Sequence, residues 1–103
     1  MKKVLNGKMY NTETATIVGS WDNGCQVNDF AYCAETLYRS QKGTYFLHGE
    51  SGAQGPYAEE TGNGRYQNGE EIVPMKESEA RAWAEEVLEA DDFVRTFGDI
   101  EEA

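Results

Sequence analysis

Apolar and polar residues alternate in short runs over the first two thirds of this chain. In the last third they recur at helical spacing. Lys2 to Leu5 and Lys8 to Tyr10 flank Asn6-Gly7. That dipeptide favours a tight hairpin turn, because both central residues must take positive φ. Asn11-Thr12-Glu13-Thr14 can bond its own backbone and predicts a turn. Ala15 to Trp21 carries Thr16, Ile17 and Val18 and predicts a strand, ended by Asp22-Asn23-Gly24. Cys25 to Ala34 has no regular period and is left as a loop or an irregular strand start. Thr36 to Ser40 and Thr44 to His48 are rich in aromatic and β-branched residues around Gln41-Lys42-Gly43, which predicts a second hairpin. Leu37 falls on one face of its strand and Tyr38 on the other. Tyr45 and Leu47 share a face, and Phe46 and His48 share the opposite one. One face is expected to pack on the core, with the other leaving aromatic rings near solvent.

Glu50 to Gly69 is glycine-rich and aperiodic. It is expected to be a functional loop, or to hide a short strand near Gly64 to Gln67. Glu70 to Pro74 predicts a strand closed by Pro74. From about Glu77 to Ala90, Ala80, Trp83, Ala84, Val87 and Leu88 fall at i, i+3, i+4, i+7 and i+8 and form one apolar stripe. Burying Trp83, Val87 and Leu88 would contribute on the order of 5–7 kcal/mol of gross transfer energy. Lys76 or Ser78 is expected near the start of this helix, with no clean capping box. Asp91 is expected to cap a second helix, Asp92 to Phe97, ended by Gly98, before an acidic tail from Asp99 to Ala103. Strands first and helices last predict an α+β fold. The expected architecture is a small antiparallel sheet of about four or five strands, one amphipathic helix across a face, and a short second helix. A chain of 103 residues is read as one domain, with a sheet-forming body over 1–74 and an acidic helical segment over 75–103.

Charge changes this picture most. From Glu70 to Ala103 there are twelve acids and three bases, a net of −9. Met1 to Gly69 carries seven acids and six bases, a net of −1. A near-neutral body thus holds an acidic segment, a surface that repels nucleic acid and attracts basic proteins. The charge of −10 argues against direct binding to DNA or anionic lipid. No apolar run approaches the roughly 20 residues that span a membrane, and Asn6-Gly7-Lys8 interrupts any signal-peptide pattern. The expected location is the cytoplasm. Cys25 and Cys33 fit no zinc spacing, and only His48 adds an imidazole, so no metal or cofactor is expected. As reduced thiols, they leave Cys33 to act as a small buried apolar residue.

Four constellations carry candidate chemistry. The first is the acidic helix face, Glu79, Glu85, Glu86, Glu89, Asp91 and Asp92, which reads either as a solvated face or as a mimic of phosphates that competes for a basic groove. The second is the hairpin with Tyr38, Arg39, Lys42 and Tyr45. These are residue types favoured at binding hot spots, though aromatic residues also suit half-buried strands. The third is the glycine-rich loop. It lacks the Lys-Ser/Thr and the following helix of a phosphate cradle, so Tyr57, Arg65 and Tyr66 are read instead as partner contacts. The fourth is a thiol of Cys25 or Cys33 with His48, for which no activating context stands nearby. No catalytic residue is assigned.

Three segments together carry a resemblance. They are Asn6-Gly7-Lys8-Met9-Tyr10-Asn11-Thr12-Glu13-Thr14-Ala15, the stretch from Glu35 through Glu50, and Ile72-Val73-Pro74-Met75 leading into Glu79-Ala80-Arg81-Ala82-Trp83-Ala84-Glu85. The pattern resembles small acidic proteins encoded on phages, plasmids and conjugative elements of Gram-positive gut bacteria, a group that includes anti-CRISPR inhibitors. It runs over nearly the whole chain and implies a bacterial host. With the charge, the expected function is an inhibitory protein-binding module that blocks the nucleic-acid channel of an RNA-guided nuclease, a type II effector being the specific expectation. The alternative is an accessory or regulatory protein that binds another protein of the same mobile element. Monomer and homodimer both remain open.

Overall fold

The structure is a computed structural model that describes residues 1–98 and 101–103. The elements run β1 (Lys2–Leu5), β2 (Lys8–Asn11), β3 (Thr16–Asp22), β4 (Cys33–Arg39), β5 (Tyr45–Ser51), β6 (Glu59–Gly62), β7 (Arg65–Gln67), β8 (Gly69–Met75), α1 (Glu77–Val87) and α2 (Ala90–Phe97). The fold is α+β, with every strand pairing antiparallel. The main sheet has the order β3-β4-β5-β8, and β1-β2 and β6-β7 are separate two-stranded hairpins.

Both small hairpins turn on Asn-Gly. Asn6 and Gly7 take φ of 51° and 77°, and Asn63 and Gly64 take 51° and 72°. Positive φ at both central residues gives the turn twist that matches right-twisted strands. The expected first hairpin is therefore present. The short strand suspected near Gly64 to Gln67 is half of a second one, in which β6 supplies the other strand. The chain before it is also held. Gly52 N–H donates to Tyr32 O at 2.9 Å and Gln54 N–H to Phe30 O at 2.8 Å. An added Cβ on Gly52 would lie 2.4 Å from Asp29 O. Glycine is thus required there by close backbone approach.

Both faces of the main sheet are covered. On one, Leu37, Tyr45 and Leu47 are buried with Ala80 of α1, and Val18, Val73, Met75, Trp83 and Phe97 pack around them. On the other, Phe46 and Ile72 are buried with Tyr10 of β2, beside Leu5, Ala15 and Tyr38. The Tyr10 ring meets Phe46 edge-on at 5.4 Å, and Tyr38 stacks on Phe46 at 5.3 Å. This corrects the expectation of solvent-facing rings on the second face, because the N-terminal hairpin folds back over them.

Three boundaries also shift. Pro74 does not end its strand: it lies within β8, opposite Phe46. β8 is an edge strand, where a missing N–H is tolerated. The helical region breaks earlier than expected, with Leu88 leaving the helix at ψ 148° and Glu89, not Asp91, as the N-cap of α2. On α1 the fully buried positions are Ala80 and Ala84, while Trp83, Val87 and Leu88 are half-buried. Small residues let the helix approach the sheet closely, so the large ones contribute less than full burial would. At its start, Lys76 N–H donates to the Glu79 carboxylate at 2.9 Å. Lysine has no acceptor to return the bond, so only half of a capping box forms. The Cα radius of gyration is 15.1 Å, above the roughly 13 Å of a compact domain this size. Of the expected tail, Asp99 and Ile100 lie outside the described residues, and 101–103 are exposed without regular structure. Among the described residues, no helix is long and apolar enough to cross a membrane.

Candidate functional site

The acidic helices are anchored to the sheet by one carboxylate. Glu35 projects from β4 toward α1, on the same face as Leu37. Its Oε1 accepts the Trp83 indole N–H at 3.0 Å, and its Oε2 accepts the Tyr57 hydroxyl. Tyr57 reaches it by lying flat over Gly49, where an added Cβ would sit 2.0 Å from the ring. Burial, then the bond to Glu35, push the Tyr57 hydroxyl well above its ordinary pKa. A carboxylate that accepts two aromatic donors is held in one rotamer, and it in turn holds the helix. At the far end of α1, Leu88 packs over Gly19 of β3, where a Cβ would come within 2.4 Å of Leu88 Cδ2.

On this platform Glu85, Glu86, Glu89 and Asp91 are exposed. Glu79 is exposed too, but it spends one oxygen on the Lys76 amide. Asp92 is half-buried and bonds Arg95 at 2.7 Å. The free acidic surface is therefore centred on the junction between α1 and α2.

The predicted contact residues of the sheet divide. Tyr45 is 6% exposed, with Arg39 6.0 Å above its ring and Phe97 5.6 Å away. It is a core residue with no open face for a partner. Tyr38 is half-buried in its stack on Phe46, and Tyr57 is engaged with Glu35. Arg39, Lys42, Arg65 and Tyr66 are exposed. They do not form one patch. Lys42 lines a cleft of about 450 Å³ with Lys8, Met9 and Tyr10. Arg39 lines a neighbouring cleft of about 340 Å³ with Arg95, and the two clefts share Ser40 and Gln41. Arg65 and Tyr66 sit apart on β7.

The near-neutral body is thus polarised along its strands. Lys8, Arg39 and Lys42 gather at the β4–β5 turn, where Arg95 joins them. At the opposite end, Glu50, Glu59 and Glu70 line a cleft of about 360 Å³ with Tyr32, Asn68 and Val27. Tyr32 donates to Glu50 at 3.0 Å, and this bond chiefly raises its hydroxyl pKa. His48 Nε2 lies 3.0 Å from Glu70. A phosphate would meet these carboxylates, so the glycine-rich segment has the wrong sign for a phosphate cradle. Linear charge counting missed this acidic end. The strand register creates it, by setting Glu50 opposite Glu70. The β4–β5 hairpin was the one signal that could have located Glu50.

The Cys33–His48 pair does not form. In the β4–β5 register Cys33 is opposite Ser51 and His48 opposite Thr36, so the two project from opposite faces of the sheet. Cys33 is a buried free thiol, raised in pKa by that burial and then by Glu35. No group of three or more metal-ligating side chains occurs among the described residues. No family model matches the chain, and no curated protein or solved structure matches it significantly.

Proposed function

We propose that the protein is an inhibitory binding module, anti-CRISPR-like, that lays its acidic surface on a basic nucleic-acid channel of an RNA-guided nuclease. The observation that carries this reading is the presentation of Glu85, Glu86, Glu89 and Asp91, exposed around one helix junction. That junction is fixed by Leu88 over Gly19 and by Trp83 on Glu35. Charges on a fixed scaffold keep their spacing, so they can match the phosphate spacing a basic channel is shaped to hold. A flexible tail of the same charge would lose that match to disorder. The exposed Arg65 and Tyr66 supply further contacts from β7.

The test is a cleavage assay with a type II effector, its guide and target, run at several salt concentrations. Inhibition is expected to weaken as salt rises. Changing Glu85, Glu86 and Glu89 together to Gln is expected to weaken it at least tenfold. Inhibition that survives the triple substitution sinks the charge-mimic mechanism. Capture of a conjugation or replication protein with cleavage untouched favours the accessory role instead.

A further inference from the structure

The two edges of the main sheet are treated differently. β8 carries Glu70, Glu71 and Pro74, and the Tyr57–Glu59 backbone runs against it, 2.1 Å from where a Gly69 Cβ would stand. Charges, proline and a covering loop are the ordinary ways in which an edge is closed to further pairing. β3, the opposite edge, has none of them from Thr16 to Trp21. Among the described residues no backbone hydrogen bond reaches its outer side. Its one irregularity, a bulge at Val18, adds no charge. Ile17 is 60% exposed and Trp21 41%.

The surroundings of this edge choose between occupants. Above it, Leu88, Ala90, Phe93 and Val94 line an apolar groove of about 290 Å³ together with Glu85. Glu89 and Asp91 are exposed beside that groove, and Asp22 ends the strand. A second copy of this chain paired to β3 would bring two such acidic rims together across the two-fold axis, because Leu88 sits over Gly19 at the strand centre. Like charges held close oppose that arrangement. A basic segment has the complementary sign.

We infer that the β3 edge is a strand-addition site for an extended segment of a basic protein, in which lysine or arginine alternates with apolar residues. Main-chain bonds to β3 supply affinity. The apolar side chains meet Ile17 on the Tyr38 face of the sheet, and the cations, on the helix face, meet Glu85 and Glu89. Arg39 and Arg95, which line the cleft at the Thr16 end, repel cations there and so place the basic end of the segment near Asp22. This inference rests on the reading of the partner as a basic protein and names how that partner is held.

The test uses a nine-residue peptide alternating lysine and isoleucine, and a control of the same sequence methylated at the backbone nitrogens of one edge. Amide hydrogen exchange of the labelled protein reports where each binds. The unmodified peptide is expected to slow exchange of outward β3 amides within 16–22 at least tenfold, and the control is not. Ile17→Lys, at an exposed position that leaves the core intact, is expected to weaken peptide binding about tenfold. Equal binding of both peptides, absence of β3 protection, or β3 protection that grows with protein concentration in the absence of peptide overturns the inference. The last outcome would show a second copy on the edge. Nuclease inhibition lost in the Gln triple variant but unchanged by Ile17→Lys would leave acidic docking standing and remove strand addition. Peptide pairing on β3 with no nuclease inhibited would do the reverse.

Discussion

The two Asn-Gly hairpins share their turn chemistry and differ in almost everything else. The φ values at their turns match within a few degrees. Yet β1–β2 folds back onto the sheet and covers a second core, whereas every residue of β6 and β7 is exposed. One side chain accounts for much of the difference. Tyr10, third after its Asn-Gly, is 7% exposed and pressed edge-on against Phe46. The residue at the same place in the second hairpin is the exposed polar Gln67, and the ring beside it, Tyr66, is 56% exposed. A turn dipeptide therefore specifies that a hairpin forms. An apolar side chain with a reachable partner decides whether it docks. An isolated two-stranded hairpin is marginal in water, which leaves β6–β7 available for contact.

The sharpest way to break the comparison is Tyr10→Ala. It removes a buried ring and leaves Phe46 uncovered, and is expected to cost about 3 kcal/mol, measured by urea unfolding. Exchange protection should be lost in β1–β2 before the main sheet opens. A loss below about 1 kcal/mol would mean that the N-terminal hairpin is not part of the second core.

An intermediate effect is expected at the third tyrosine, Tyr57, which is engaged through its hydroxyl rather than its ring edge. Tyr57→Phe removes one of two donors to Glu35 and should cost about 1–2 kcal/mol at neutral pH. The pH dependence has a definite sign. The hydroxyl titrates higher in the folded state than its ordinary value near 10, because burial and Glu35 favour the protonated form. Its contribution is thus fully present below about pH 10 and is lost as pH rises toward and through the folded value. Melting temperatures of the wild type and Tyr57→Phe should therefore stay apart below about pH 10 and converge as pH rises above it. Parallel curves would show that this hydroxyl is not the group responsible.

The smallest effect on stability is expected at Tyr66→Ala, within about 0.5 kcal/mol by the same urea measurement. If β6–β7 contacts a partner, this change should instead weaken inhibition in the cleavage assay. A large loss of stability would show that Tyr66 is docked in solution as Tyr10 is.

Much of the architecture was legible because its signals are local. Asn6-Gly7, the aromatic flanks of Gln41-Lys42-Gly43, and the stripe from Ala80 to Leu88 each lie within a few residues of one another. Asn63-Gly64 carried the same signal as Asn6-Gly7. It was obscured because Thr61 and Gly62 before it, and Arg65 to Gln67 after it, show no apolar alternation. The helix break was hidden for a different reason. Leu88 continues the helical stripe, but its side chain is taken by Gly19 on β3, far away in sequence. Among the expected contacts, the exposed acids of α1 were readable from the helical wheel. Tyr45 and Tyr57 were not, since a tyrosine in a strand or loop looks alike whether its partner is solvent or a core.

By itself the sequence determined the α+β order, the antiparallel hairpins, and an acidic amphipathic helix with an apolar stripe of two alanines, Trp83, Val87 and Leu88. Turn propensity and side-chain period act over a few residues and need no knowledge of the rest of the chain. Only the tertiary structure decided which tyrosines are buried, that both faces of the sheet are covered, and that β3 rather than β8 is the open edge. It also decided that a nearly neutral body has a basic end and an acidic one. Strand register brings Glu50 beside Glu70, and the β4–β5 turn gathers Lys8, Arg39 and Lys42. A net charge summed along a chain carries no record of which residues the fold makes neighbours.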